Sequence, residues 1–424
     1  MKIKTKKLSY EEVMAIPEEP HKKPATQQPF FRWLLKTLSA SELKAVDFTY
    51  EEIGMERLGK DEPALFLMNH SSFTDLQIIS KLLSDRQYHI VCTNDGMIAK
   101  EWLMRAIGCI PTKKFIADVN LIRDMKYAID KLGSSILMYP EASYSFDGTE
   151  TPLPDSLGKC LKLLGVPVIM IKTEGAYLRD PLYNCLQKRD TKVSATVTYL
   201  LSPEEIKEKP ADELNTKLNE AFAYNHFQAQ HEAGVVIDEP FRADGLHRAL
   251  YKCPACKMEG KMLGKGTAIK CGDCNKEYEL TETGKLSAAA GAETEFEFVP
   301  DWYKWQRECV KGEVEDGSYQ MDLDVDIRML VDSKAIYEVG EGRLVHTPEG
   351  FRLTGCDGKL DFSLSGKSTY SLYADYYWYE LGDMISIGDT KKQFYCFPKD
   401  QAGAIVAKAR LATEEIYKLG RKRA

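Results

Sequence analysis

The stretch that most constrains the fold runs from Ala64 to Leu83. An apolar run, Ala64-Leu65-Phe66-Leu67-Met68, leads into Asn69-His70-Ser71-Ser72-Phe73-Thr74-Asp75. Apolar residues then recur at helical spacing at Leu76, Ile78, Ile79, Leu82 and Leu83. The pattern predicts a buried strand, a tight loop and an amphipathic helix. Ser72 and Asp75 have the spacing of a capping box, which starts the helix near Ser72. His70 then sits at the strand exit, and one helical turn brings the Asp75 carboxylate back to its imidazole. A neutral imidazole accepts a proton from a hydroxyl near neutral pH. A carboxylate on its other nitrogen fixes the tautomer and stabilises the imidazolium that forms. A loop His beside a helix-capping Asp is the alternative reading of the same residues.

Three further blocks follow in order. Gly108-Cys109-Ile110-Pro111-Thr112-Lys113-Lys114 sets a Gly six residues before a basic side chain. Tyr139-Pro140-Glu141-Ala142-Ser143-Tyr144-Ser145 follows a strand-like run, and Val166-Pro167-Val168-Ile169-Met170 is an apolar strand. With the Asn-His-x4-Asp block, this series resembles the glycerolipid acyltransferases, lysophosphatidate acyltransferase and its relatives, over about half the chain. The resemblance implies a layered α/β domain with motifs at the strand ends. It implies transfer of a fatty acyl group from a thioester, on coenzyme A or acyl carrier protein, to the hydroxyl of a lysophospholipid or related glycerolipid. His70 would be the general base and Asp75 its orienting carboxylate. Lys114, with Lys113 as an alternative, would attract the acceptor's phosphate, and Glu141 with Ser143 would bind the acceptor. Three positions depart from the family blocks. Lys114 stands where Arg is usual, Ala142 replaces Gly, and Tyr144 replaces Arg. A neutral phenol in place of a phosphate-holding guanidinium fits an acceptor with less negative charge.

A formal net charge of -7 argues against general nucleic-acid binding. Eleven cysteines, an odd number, with no signal-like apolar segment at the start, read as reduced thiols in a cytosol. No run of about eighteen apolar residues suggests a membrane-spanning helix, so lipid substrates would be reached from the membrane surface, on its inner face. Residues 1–28, punctuated by Pro17, Pro20 and Pro24, read as an extended or loosely held arm. Pro29 to Leu38 reads as an amphipathic helix with Phe30, Phe31, Trp33, Leu34, Leu35 and Leu38 on one face, opposite Arg32 and Lys36. It suits a membrane interface or a core-facing role.

Cys253-Pro254-Ala255-Cys256 and Cys271-Gly272-Asp273-Cys274 are two knuckles at zinc-ribbon spacing, with a hairpin turn expected at Gly264 and Gly266. Four thiolates so spaced close a tetrahedral Zn2+ site that supplies a small module's folding energy. After an Ala/Gly/Glu linker (286–300) and a helix over 302–310, roughly seven strands, one of them over Thr369–Leu372, precede a helix from about Asp400 to Leu419. That order is the one of a pleckstrin-homology-type barrel. The expected organisation is an arm and helix (1–44), an acyltransferase-like domain (45–248), a zinc ribbon (249–285) and a mainly-β domain (295–424). A non-catalytic lipid-binding scaffold and a ribbon-based partner-binding protein remain alternatives.

Overall fold

The computed structural model describes residues 3–289, 291–400 and 405–422. Ala290 of the linker and residues 401–404, at the expected start of the last helix, lie outside them. The chain divides into two compact units, one of Pro20–Pro181 with Lys188–His226, the other of Met1–Glu19, Leu182–Gln187 and Phe227–Ala424. The expected 1–44 span is thus shared between both units, and the ribbon and the β-rich segment fall in one. The first strand, β1 (Thr5–Lys7), belongs to the second unit.

In the first unit, seven strands form one sheet. They are β2 (Thr49–Ile53), β3 (Leu65–Met68), β4 (Tyr88–Thr93), β5 (Cys109–Thr112), β6 (Ser135–Met138), β7 (Val168–Glu174) and β8 (Ser194–Leu201), in the order β2-β8-β7-β3-β6-β4-β5. All neighbours are parallel except β7 and β8. Val46 and Asp47 form a turn, and β2 begins after it and pairs in parallel with β8. The continuous apolar run of β3 follows from burial on both faces. Phe66 and Met68 join one hydrophobic cluster, while Leu65 and Leu67 join the other. Crossover helices cover the sheet. The helix Val119–Leu132 begins at Asp118, whose side chain accepts from the Asn120 N–H, and ends at Gly133 in the left-handed conformation at φ 60°.

The proline-punctuated arm is neither uniformly extended nor loose: it holds β1 and a short helix at Tyr10–Met14 capped by Ser9. Gln27 donates to the Ile107 carbonyl (3.0 Å), and the His89 ring bonds the Ala25 carbonyl (2.9 Å). The following helix, Pro29–Ala45, packs Phe31 and Leu35 on the core. Arg32 and Lys36 bond inward, to the Arg86 carbonyl (2.8 Å) and the Ser84 hydroxyl (3.1 Å). Phe30, Trp33 and Leu38 are left exposed. The expected single apolar face is therefore split between core and solvent.

In the second unit, β9 (Met262–Lys265), β10 (Ala268–Cys271), β11 (Glu277–Leu280) and β12 (Leu286–Ala288) make an antiparallel ribbon. Its hairpin turns at Gly266, φ 67°. Gly264 lies in β9 instead, opposite Ile269, where a Cβ would come within 2.5 Å of the Ala243 carbonyl.

The remaining strands are β13 (Met321–Leu330), β14 (Ile336–Thr347), β15 (Gly350–Gly355), β16 (Leu360–Ser365), β17 (Tyr373–Asp375), β18 (Met384–Gly388) and β19 (Gln393–Pro398). Their order, β16-β15-β14-β13-β19-β18-β17, with a helix at Ile405–Lys422, fits the expected meander and terminal helix. β1 adds in parallel to β14. The strand expected over Thr369–Leu372 begins at Tyr373 instead. Just before it, the Ser371 carbonyl accepts from Thr369 Oγ1 (2.5 Å) and the Ser371 hydroxyl donates to the Glu414 carboxylate (2.7 Å).

Candidate active site and metal centre

The parallel pairing of β3 with β6 puts the carboxyl ends of both strands side by side, where the first and third blocks begin. His70 leaves β3 and its Nδ1 lies 2.9 Å from Asp75 Oδ2. The same carboxylate oxygen accepts the backbone N–H groups of Ser71 (3.0 Å) and Ser72 (3.3 Å). The Ser72 hydroxyl accepts from the Thr74 N–H (2.9 Å). The regular helix runs Thr74–Leu82, beginning two residues beyond Ser72. Phe73 is the N-cap residue and makes no side-chain cap bond, so of the expected capping box only the bond from the Ser72 N–H to the Asp75 carboxylate forms. Asp75 is buried, and its Oδ1 meets no donor. The His70 side chain retains 19% of its exposure. Burial holds the His70 pKa below the ordinary imidazole value. Asp75 opposes that shift, and the nearby Lys114 charge adds to it. The ring is therefore neutral at pH 7, with Nδ1 bonded to Asp75 and Nε2 as the nitrogen left for a hydroxyl proton.

Asn69 fastens the strand exit. Its carbonyl oxygen accepts from the Thr173 N–H (2.8 Å) on β7, and its amide donates to Ser71 Oγ (3.0 Å). Glu141 fastens the loop from the other side. Its Oε2 accepts the His70 N–H (2.8 Å) and its Oε1 the Thr151 N–H (2.7 Å). This buried carboxylate grips the backbone at both His70 and Thr151, a task that the block pattern did not suggest. Ala142 sits at φ 55°, left-handed, a conformation that explains why the family block carries Gly there. Ser143 is buried in the same turn, its hydroxyl 3.3 Å from the Tyr144 carbonyl.

Lys113 and Lys114 follow β5, and Lys114 lies near enough to act on the His70 charge. Gly108 opens that block at φ 92°, where a Cβ would stand 2.8 Å from the Tyr88 carbonyl. The structure thus gathers His70, Asp75, Glu141 and Lys114 at one sheet edge.

Three residues there carried no signal of their role in the sequence. Tyr139 and Tyr144 pack against the His70 ring with centroids at 4.3 and 4.1 Å. Asp180, just beyond β7, is buried beside Ser72. Burial pushes its carboxyl up to about 7, with the Asp75 charge adding to the shift while Ser72, Lys188 and Arg179 oppose it. Its Oδ1, like Asp75 Oδ1, meets no donor.

In the second unit the sulfurs of Cys253, Cys256, Cys271 and Cys274 all lie within 4.8 Å of one another. Two of the pairs, Cys253 with Cys274 and Cys256 with Cys271, are 3.7 Å apart. Sulfurs at the corners of a tetrahedron with ~2.3 Å metal bonds stand about 3.8 Å apart, so the four thiols fit one metal ion.

Residues 49–172 match the family model described as Acyltransferase, a range that holds all four sequence blocks. A chloroplastic 1-acyl-sn-glycerol-3-phosphate acyltransferase of Brassica napus is 29% identical over 128 residues, covering 29% of this chain and 36% of that protein. The chain thus spans about a third of the length of that relative. The crystal structure of the 1-acyl-sn-glycerophosphate acyltransferase PlsC from Thermotoga maritima is 18% identical with a TM-score of 0.35, over 45% of this chain and 76% of that one. Over residues 49–172, this chain carries an Acyltransferase domain that is similar in sequence to a 1-acyl-sn-glycerol-3-phosphate acyltransferase.

Proposed function

We propose that the first unit transfers a fatty acyl group from an acyl thioester, on coenzyme A or acyl carrier protein, to the hydroxyl of a lysophospholipid or related lipid alcohol. The observation that carries this is the 2.9 Å bond between His70 Nδ1 and Asp75 Oδ2, with the His70 side chain still partly exposed. His70 Nε2 takes the acceptor's hydroxyl proton as the oxygen bonds to the thioester carbon. The C–S bond then breaks, and the proton passes from the imidazolium to the departing thiolate. Ester and free thiol result, with no net proton change. Asp75 holds the tautomer and Glu141 holds the His70 backbone. Lys114, with Lys113 beside it, attracts anionic groups of the substrates as a point charge without the directionality of a guanidinium. Ser143 lines the acceptor side of the turn.

The protein works at a membrane surface, on its cytoplasmic side. No helix among the described residues is long and apolar enough to cross a membrane. Exposed Phe30, Trp33 and Leu38 offer an amphipathic helix face for the interface. The four ribbon cysteines hold a structural Zn2+. Thioester-dependent acylation of a panel of lysophospholipids and neutral lipid alcohols tests the reading. Wild-type protein should acylate at least one of them, and His70→Ala should lower turnover by roughly two to four orders of magnitude with the fold intact. A tenfold loss would assign His70 to packing.

A further inference from the structure

The acyl-transfer chemistry gives no task to the two phenols beside its base. The Tyr139 and His70 ring centroids are 4.3 Å apart with the planes 31° from parallel, and Tyr144 lies at 4.1 Å and 32°. Aromatic pairs usually stand 4.5–7 Å apart, with edge-on contacts at the longer end. At these shorter separations and modest tilts, ring faces meet the imidazole. Both tyrosines are placed by the backbone. Tyr139 follows the last residue of β6, and Tyr144 follows the left-handed turn at Ala142.

The imidazolium needs support here. It lies in a buried loop near the Lys114 cation, and both features disfavour a positive ring. Asp75 supplies one oxygen to it, Glu141 faces the His70 backbone N–H, and among the described residues no other carboxylate is bonded to the ring. The face of a phenol carries negative quadrupole density and attracts a cation, more strongly when water is excluded. An arginine at position 144, as in the family's block, would repel the imidazolium, whereas the phenol attracts it.

We propose that Tyr139 and Tyr144 are positioning residues that clamp the His70 imidazole in plane with Asp75 and stabilise the imidazolium while it holds the acceptor's proton. The proposal rests on the acyl-transfer reading for its consequence, though not for its geometry. The clamp forms no bond to substrate and changes no step of the proton balance. It acts only on the imidazolium between receipt of the hydroxyl proton and its delivery to the thiolate.

The test compares Tyr144→Phe, which keeps the π face, with Tyr144→Leu, which keeps apolar bulk alone. Two quantities are read: the NMR titration midpoint of His70, and kcat and KM with the best acceptor. Tyr144→Phe should keep the wild-type midpoint and most of the turnover. Tyr144→Leu should lower the midpoint by about half a unit to one unit and kcat by about threefold to thirtyfold, with KM little changed. A Leu variant with an unchanged or raised midpoint would overturn the clamp. So would a Phe variant as damaged as the Leu one. If Tyr144→Leu does not fold, Tyr144→Trp replaces it. Its larger π face should raise the midpoint, and an unchanged or lowered one would refute the proposal. Wild-type protein that acylates nothing would defeat the acyl-transfer reading and leave the midpoint comparison intact, so the two failures are distinguishable.

Discussion

The sheet-edge site and the cysteine ribbon both concentrate groups that carry negative charge, and they stabilise that charge in different ways. The sheet edge buries three carboxylates. Glu141 receives two backbone N–H groups, and Asp75 receives an imidazole and two backbone N–H groups on one oxygen. Burial raises the Asp180 carboxyl to about 7, so that it holds a proton about half of the time at neutrality. The protein itself therefore neutralises or hydrogen-bonds each acid. The ribbon brings four sulfurs within 4.8 Å, and four thiolates at that distance need a cation. One site is preorganised by the chain, whereas the other is a set of four cysteines that could hold a metal ion.

The largest expected effect follows from that contrast. Removal of zinc from the ribbon should forfeit a metal-linked folding energy on the order of 10 kcal/mol. Metal analysis should find near one zinc per chain. A strong chelator should abolish the hydrogen-exchange protection of β9 and β10. A metal-free protein with four titratable thiols and a protected hairpin would erase the contrast.

A smaller effect is expected at Asp180. Its folded pKa of about 7 lies roughly three units above that of an unfolded Asp, so the folded state keeps a proton that the unfolded state releases. The stability from this group is present below about pH 4 and lost as pH rises towards 7, a loss of about 4 kcal/mol. Asp180→Asn removes the titration. Urea midpoints of that unit should favour the variant increasingly from pH 4 to pH 7. Parallel curves for the two proteins would mean that Asp180 titrates normally.

The same contrast explains what could be read from the chain. The ribbon is closed by two knuckles on one hairpin, so cysteine spacing alone dictates its geometry. The His70–Asp75 pair is equally local, five residues apart across a strand exit and one helical turn. Glu141 meets His70 across 71 residues because β3 and β6 are neighbours, an adjacency that no local pattern encodes. Asp180 belongs to no motif and acts through burial, which a sequence does not display. The split face of helix Pro29–Ala45 was hidden for a related reason. Arg32 and Lys36 find partners on the domain, so charge does not mark the solvent side. The segment Thr369–Leu372 lies just before β17, and its Ser371 hydroxyl bonds Glu414, a partner 43 residues away that no local pattern displays.

The most direct test of the central claim is the turnover of Asp75→Asn in the thioester-dependent acylation assay, alongside its melting temperature. An amide of the same shape can hold the loop but cannot fix the productive imidazole tautomer or balance its positive charge. A fall of about three to four orders of magnitude in kcat, with the fold retained, is the expected result. Turnover within tenfold of the wild type would contradict the assignment of His70 and Asp75 as the base and its orienting carboxylate.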